Sequence, residues 1–222
     1  MGWPRNLVLV RHAESEGNIR SVEERAHLEV ATHAYNLTPR GEEQARITGE
    51  YLKARFGTFD TYYVSYYVRS RRTMQIMFPD ARIFEDPRLA EAQRGIYHTM
   101  THAEIAVAYP GELERKAREG LYHYRAPGGE NWPDVELRIH SFLDTLRRDC
   151  KNEDVVIVAH GQWELECQRL IHHFPIKEAV RRYEEGEIFE NASVTIYQGQ
   201  EIKGCSRLVL TDENIVPWAG KI

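Results

Sequence analysis

The sequence contains few cysteines and no long apolar run. Its three cysteines, Cys150, Cys167 and Cys205, are widely spaced, form no C-x-x-C pair and are odd in number. This argues against a disulfide scaffold and is typical of reduced thiols in a cytosolic protein. The apolar run nearest the N-terminus, residues 7–10, is too short for a signal peptide or a membrane span. We therefore expect a cytoplasmic protein with no membrane partner.

The chain also lacks an excess of positive charge. Lysine and arginine together number 29 against 34 aspartates and glutamates, which gives a formal net charge of −5. No global positive field would attract nucleic acid or an anionic membrane, so nucleic acid is not an expected partner. Any anion that the protein binds must meet a local cluster of positive charge.

Three common catalytic signatures are missing. No cysteine is followed six positions later by arginine, as a cysteine-dependent phosphatase would require, and no G-x-x-x-x-G-K-[ST] loop is present. The pattern H-x-E occurs at residues 12–14 and 102–104, but the P-C-x-x-C that completes a zinc deaminase signature is absent. We expect neither a metal nor another cofactor.

Three segments combine an apolar, β-rich run with a following polar cluster and helical stretch: residues 7–10, 61–65 and 154–159. Continuous apolar strands are typical of a parallel sheet covered on both faces. Thr38, Pro39 and Gly57 are start and stop signals for a helix between the first two strands, and "GGENWPDVELRIHSFLDTLRRD" predicts another before the third. The pattern predicts one α/β domain over residues 1–222, with three α/β/α layers, a mostly parallel central sheet and a partly helical cap at about 85–125.

Polar and basic residues follow each predicted strand. Arg11 and His12 follow the first strand, Ser65 leads to Arg69 after the second, and His160 and Gly161 follow the third. In open α/β sheets, ligands bind outside the carboxyl ends of the strands. Two arginines and two histidines at that edge would form a positive pocket suited to phosphate oxygens.

Several motifs carry a family resemblance. "LVLVRHAESEGN", "SYYVRSRRT", "RLAEAQRGIY" and "VVIVAHG" occur in an order that resembles the histidine phosphatase superfamily, also called phosphoglycerate mutase-like. The segments "PRLAEAQRGIY" and "YHYRAPGGE" look closest to the broad-specificity phosphatase branch. Glycolytic mutases usually carry a Y-G-x-L-Q-G-x-N-K-like stretch where this chain has "RGIYHTMTHAE".

The resemblance implies a histidine acid phosphatase-type enzyme that hydrolyses small phosphorylated metabolites through a phosphohistidine. By it, His12 is the nucleophile and Glu91 the proton donor. It also implies that the phosphate is held by Arg11, Asn18, Arg69, His160 and Gly161. Arg11 beside His12 disfavours the imidazolium and so favours a free attacking nitrogen near neutral pH.

Alternatives stay open at this point. A phosphoglycerate mutase would return the phosphoryl group to its substrate, and a phosphoester-binding or phosphoprotein-binding module would have lost turnover. The sequence leaves open the physiological substrate and the oligomeric state, a homodimer included. It also leaves open whether Trp163 narrows the pocket, whether Glu14 supports the turn or the histidine network, and whether the cap tyrosines line the site.

Overall fold

A six-stranded sheet forms the centre of the protein in this computed structural model, which describes residues 2–222. The strands are β1 (Asn6–Arg11), β2 (Thr61–Val64), β3 (Ile83–Glu85), β4 (Asp154–Ala159), β5 (Val194–Ile202) and β6 (Cys205–Ile215). Their order across the sheet is β3-β2-β4-β1-β5-β6. The first four strands of that order are parallel, whereas β5 is antiparallel to β1 and β6 is antiparallel to β5. The predicted mostly parallel sheet is confirmed.

Eight α-helices are present within residues 2–222. They are α1 (Val22–Ala26), α2 (Pro39–Phe56), α3 (Val68–Met77), α4 (His102–Ala108), α5 (Glu112–His123), α6 (Trp132–Asp149), α7 (Gly161–His172) and α8 (Ile176–Glu184). Short 3₁₀ turns occupy Thr32–Ala34, Pro87–Leu89 and Gly95–His98. None of the helices described is both long and apolar enough to cross a membrane.

The predicted signals at the ends of α2 are confirmed. The Thr38 hydroxyl accepts a hydrogen bond from the Gly41 amide at 3.0 Å, and Pro39 occupies the first helical position, where its missing N–H costs nothing. Gly57 follows the last helical residue with φ of +72°, a conformation that glycine adopts without strain.

Alternate residues of β1 and β4 point into two separate cores, one on each face of the sheet. Leu7 and Leu9 pack with α6 and α7, whereas Val8 and Val10 pack with α2 and α3. Both faces are covered, which explains why these strands read as continuous apolar runs. The predicted three-layer α/β/α arrangement is therefore confirmed.

Strands β3, β5 and β6 were not predicted. β3 has only three residues and lies at one edge of the sheet, half exposed. β5 and β6 form a hairpin at the other edge, where polar residues interrupt the apolar pattern. Lys203 and Gly204 connect them with φ of +52° and +74°, as a two-residue hairpin turn with both central φ values positive requires.

The segment predicted as a cap lies outside the sheet except for Glu85, the last residue of β3. It carries α4, α5 and two of the 3₁₀ turns. It is attached to the loop before α6 at Gly95, where an added Cβ would lie 2.1 Å from the Pro127 carbonyl oxygen. The Gln93 carbonyl accepts the Glu130 amide at 2.7 Å in the same place. The cap therefore has a defined position relative to the sheet edge.

Candidate active site

The carboxyl ends of β1, β2 and β4 bring His12, Arg69 and His160 into contact. Arg69 lies in the first turn of α3, and its Nε donates to Nε2 of His12 at 3.0 Å. Its Nη2 lies 3.3 Å from Nδ1 of His160, and the two histidine ring centroids are 5.2 Å apart. Three residues separated widely in sequence thus form one cluster at the edge where the sequence places them.

His12 is held in a single tautomer by its neighbours. Its Nδ1 lies 2.8 Å from the carbonyl oxygen of Ala13, which can only accept, so Nδ1 carries the hydrogen. Nε2 then has a free lone pair, which accepts the hydrogen bond from Arg69. Burial and the charges of Arg69 and Arg11 hold the pKa of His12 well below its usual 6.5. The residue is a neutral imidazole with its basic nitrogen at a fixed position.

His160 is buried next to His12 and Arg69. Because the guanidinium of Arg69 can only donate, Nδ1 of His160 accepts, and its Nε2–H donates to Oγ of Ser65 at 2.8 Å. Its pKa is also lowered, by burial first and then by Arg69. The side chain is fully buried and does not line the cavity described below. By accepting the hydrogen bond from Arg69, His160 orients that guanidinium group. The predicted contact between His160 and phosphate stays a prediction.

The two arginines are anchored by backbone carbonyls rather than by carboxylates. Arg11 donates to the carbonyl of Phe189, and Nη1 of Arg69 donates to the carbonyl of Thr32 at 2.8 Å. Burial lowers both pKa values, that of Arg69 to about 10, and the charge of Glu91 opposes the shift. Both groups therefore stay cationic at neutral pH. Nε of Arg11 is buried and has no hydrogen-bond partner within residues 2–222.

A cavity of about 640 Å³ opens in front of this cluster. Six residues predicted for the site line it: Arg11, His12, Asn18, Arg69, Glu91 and Gly161. Gly161 is the first residue of α7, so the amides of that helix terminus add positive potential at the cavity wall. A Cβ on Gly161 would lie 3.3 Å from Nε of Arg11. Glycine at this position therefore leaves space beside the guanidinium of Arg11.

Two of the lining residues have mainly local partners, and Asn18 also accepts a long hydrogen bond from Asn191 at 3.5 Å. Oε1 of Glu91 accepts the amide of Ala92 at 3.1 Å. Oδ1 of Asn18 accepts the amide and the hydroxyl of Ser15 at 2.9 and 2.8 Å. The Asn18 amide nitrogen is the part of that side chain available to donate to a bound group.

The roles that the sequence left open for other residues are visible here. Oε1 of Glu14 accepts the Thr38 hydroxyl at 2.6 Å, so Glu14 supports the turn into α2. Trp163 is fully buried in the core, donates to the Arg88 carbonyl at 2.9 Å and does not narrow the cavity. Of the cap tyrosines, Tyr97 and Tyr124 line the cavity, as does Trp132.

Several contacts around the site were not predicted from the sequence. The Tyr67 ring lies under the guanidinium of Arg69, 4.5 Å from its central carbon, and its hydroxyl accepts from Gln93 at 2.5 Å. Asn191 donates to the His12 carbonyl at 2.9 Å. The carbonyls of Thr32 and Phe189 have no sequence signal at all, because any residue type supplies that group. For Tyr67 the only signal is its position two residues before Arg69.

Within residues 2–222, no group of three or more histidine, cysteine or acidic side chains is arranged to hold a metal ion. All three cysteines are free thiols, of which Cys150 and Cys167 are buried.

A buried carboxyl group, Glu164 of α7, lies close enough to Arg11 for their charges to interact. Burial raises its pKa to about 8, while a Thr195 hydrogen bond and Arg11 oppose that shift. In the unfolded chain the carboxyl ionises near its ordinary value of 4.5. At this group the folded state therefore binds more protons between these values, so the contribution of Glu164 to stability falls as the pH rises from about 5 to 8.

We expect Glu164→Gln to remove this contribution, because glutamine cannot ionise. The variant should be more stable than the wild type at pH 8, by an amount on the order of a few kcal/mol. Urea unfolding at pH 5 and pH 8 measures the difference, with Glu184→Gln, an exposed glutamate of α8, as the matched control. Parallel pH dependences in wild type and Glu164→Gln would show that Glu164 keeps its ordinary ionisation.

Comparison with known proteins gives the family. The profile of the histidine phosphatase superfamily (branch 1) matches residues 7–209. The chain belongs to this superfamily. The matched span includes every residue of the cluster described above, from Arg11 and His12 to His160.

Several of the sequence relatives are named as mutases or mutase-like proteins. "Phosphoglycerate mutase-like protein AT74H" of Arabidopsis thaliana is 29% identical over 184 residues, covering 71% of this chain and 62% of that protein. A 2,3-bisphosphoglycerate-dependent phosphoglycerate mutase of Azorhizobium caulinodans is 29% identical over 164 residues, covering 71% of this chain and 76% of its own. The chain thus spans less than two thirds of the length of the plant relative.

Solved structures of two phosphatases share the fold. The alpha-ribazole phosphatase of Shigella flexneri superposes with a TM-score of 0.73 at 17% identity, covering 95% of this chain and 98% of its own. A mycobacterial glucosyl-3-phosphoglycerate phosphatase, solved with inorganic phosphate, superposes with a TM-score of 0.71 at 24% identity. The superposition covers 97% of this chain and 100% of the phosphatase chain. At these identities the likeness establishes the three-layer architecture.

Proposed function

We propose that the protein is a metal-independent phosphomonoester hydrolase that acts on small phosphorylated metabolites through a phosphohistidine at His12. Membership of the superfamily supports a phosphoester reaction. The guanidinium groups of Arg11 and Arg69 and the terminus of α7 supply positive charge where phosphate oxygens would lie. Phosphoryl transfer depends mainly on such positioning and charge stabilisation.

The observation that carries the proposal is the state of His12. Its Nδ1–H is held by the Ala13 carbonyl, its pKa is lowered, and its Nε2 lone pair lies beside a cationic guanidinium at the cavity wall. A neutral imidazole nitrogen is a competent nucleophile, and a fixed tautomer removes the need to reorganise it.

In the first step, Nε2 of His12 attacks phosphorus and forms the N–P bond while the ester P–O bond breaks. Nε–H of Arg69, which donates to Nε2 in the free protein, transfers its hydrogen bond to a phosphate oxygen. Glu91, in its protonated form, gives its proton to the departing alkoxide.

In the second step, the Glu91 carboxylate accepts a proton from a water molecule as that water attacks phosphorus. The N–P bond breaks, phosphate leaves, and His12 recovers its lone pair. Covalent catalysis thus divides the hydrolysis into two steps, and His12 and Glu91 act in both. His160 would hold Arg69 in place and contact the phosphate after a small movement of that side chain.

The proposal is tested by phosphate release from p-nitrophenyl phosphate in the presence of a chelator. We expect turnover that the chelator does not change, because the arginines supply the charge that a metal would otherwise provide. Interconversion of 2- and 3-phosphoglycerate is measured on the same sample. Turnover that requires added metal would contradict the mechanism.

The mutase reaction is the second candidate, and likeness to the phosphoglycerate mutase of Azorhizobium favours it. A mutase returns the phosphoryl group from His12 to substrate rather than to water. Efficient interconversion of phosphoglycerates with negligible hydrolysis would assign the protein to that reaction. We further propose a cytoplasmic location from the three free thiols, and phosphate esters rather than nucleic acid or membranes as partners.

A further inference from the structure

Arg11 and Arg69, with the first residues of α7, form what we call the phosphate clamp. The part of the cavity beyond this clamp is also positively charged. Five cationic side chains line the cavity, namely Arg11, Arg25, Arg69, Arg94 and Lys116, against two carboxylates, Glu91 and Glu130. Glu130 is already paired with Arg138 at 3.0 Å. This excess lies in a protein whose formal net charge is −5, so it is a local feature of the cavity.

Three of these cations do not belong to the phosphate clamp, and they form no ion pair within residues 2–222. Lys116 of α5 lies over the Tyr97 ring, with Nζ 4.3 Å from its centroid. Arg94 donates to the hydroxyl of Tyr183 at 2.8 Å, and Arg25 to the carbonyl of Gly17 at 2.9 Å. By contrast Arg115, the neighbour of Lys116, is paired with two glutamates of its own helix. None of the five cations that line the cavity has an acidic partner within residues 2–222.

Two neutral donors lie among these charges. Tyr35 is only 4% exposed, lines the cavity, and its hydroxyl has no hydrogen-bond partner within residues 2–222. Nε2 of His98 accepts the amide of Arg94 at 2.9 Å, so its Nδ1 carries the hydrogen. The charges of both Arg69 and Arg25 act on each of these side chains. Tyr35 and His98 therefore lie near both Arg69 of the phosphate clamp and Arg25, one of the three cations outside it.

We propose that Arg25, Tyr35, Arg94, His98 and Lys116 form a second anion-binding subsite, the cap subsite, and that the preferred substrates are phosphomonoesters whose alcohol carries a further anionic group. This inference rests on the proposed function for the reaction at His12. The second anion is a carboxylate or another phosphate, since guanidinium, ammonium and hydroxyl donors serve both.

The dimensions of the cavity agree with this substrate class. Inorganic phosphate would fill a small part of about 640 Å³, which lies within the range of pockets that enclose whole small molecules. A buried donor such as the Tyr35 hydroxyl is costly without a partner, and an anionic ligand group would supply one. Burial also lowers the pKa of Lys116, and an anion beside it would offset that penalty.

Two matched pairs of ligands test the proposal. Glycerol 3-phosphate and 3-phosphoglycerate differ by one CH₂OH in place of a carboxylate, whereas 3-hydroxypropyl phosphate and propane-1,3-diol bisphosphate differ by one phosphate. Binding is measured by calorimetry on His12→Ala, which cannot turn the ligands over by the proposed route. We expect the anionic member of at least one pair to bind ten-fold or more tightly than its neutral partner. The pair that shows the preference identifies the second anion.

Variants of the cap subsite locate the effect. Lys116→Met and Arg94→Gln should each reduce the preference for the anionic ligand about ten-fold, with little change for the neutral one, because a charge-assisted hydrogen bond is lost. Arg118→Gln removes an exposed positive charge from the same helix, does not line the cavity, and should leave both affinities unchanged.

The two proposals fail in different ways. Equal binding within both pairs, or an equal loss of both ligands in Lys116→Met and Arg94→Gln, would overturn the cap subsite even if p-nitrophenyl phosphate is hydrolysed. Absence of all hydrolysis with a preserved anionic preference would overturn the proposed reaction and retain the subsite.

Discussion

His12→Ala should lower kcat for p-nitrophenyl phosphate by at least about 10⁴-fold while the protein stays folded. The variant lacks the nitrogen that forms the N–P bond, and the neighbouring His160 cannot replace it, because His160 is fully buried and does not line the cavity. In the wild type, rapid quenching should trap a phosphoryl group on histidine that is labile in acid and stable in base. His12→Ala should carry no such label.

The control for this variant is His140→Ala, which removes an exposed histidine of α6 and should keep full activity. Circular dichroism and a thermal melt establish that His12→Ala retains the fold. An undiminished rate in His12→Ala, or a label on a different residue, would remove His12 from the mechanism.

Glu91→Gln should lower kcat/KM by about 10²-fold to 10⁴-fold for an alkyl phosphate, the usual range for loss of a general acid. The reduction should be much smaller for p-nitrophenyl phosphate, because nitrophenolate leaves readily without a proton. Glutamine also cannot activate water, so the phosphohistidine should accumulate after a burst of nitrophenolate. Comparison of the two substrates on one variant therefore separates proton donation from a loss of phosphate binding.

Glu85→Gln is the matched control for Glu91→Gln. Glu85 is exposed, pairs with Arg71 at 3.4 Å and does not line the cavity, so its loss should leave both substrates unaffected. An equal reduction for alkyl and aryl phosphates in Glu91→Gln would mean that Glu91 has a role other than proton donation.

The central strands, helix α2 and the cluster at the carboxyl ends of the strands could be predicted from the sequence. Strands β1, β2 and β4 appear as apolar runs because both faces of the sheet are covered, and α2 appears through Thr38, Pro39 and Gly57. Parallel strands end at a common edge, so the residues that follow them meet whatever the intervening chain does. That rule brought His12, Arg69 and His160 together, with Arg69 lying 3.0 Å from His12 and 3.3 Å from His160.

What the sequence could not determine depends on contacts between segments with no shared pattern. The edge strands β3, β5 and β6 are short or partly polar, so their pairing is fixed by the neighbouring strand rather than by their own composition. The tautomer of His12 depends on one backbone carbonyl, and the burial of His160 behind Arg69 depends on side-chain packing.

The cap shows the same division most clearly. Its composition alone indicates helices and loops with mixed charge, and nothing in it distinguishes Lys116 from Arg115. Only the tertiary structure decides that Arg115 is neutralised within its helix while Lys116 lines the cavity, because charge pairing is a property of distance in space. The sequence by itself determined which edge of the sheet carries His12, Arg69 and His160, and the packing of the cap against that edge determined the charge of the cavity in front of them.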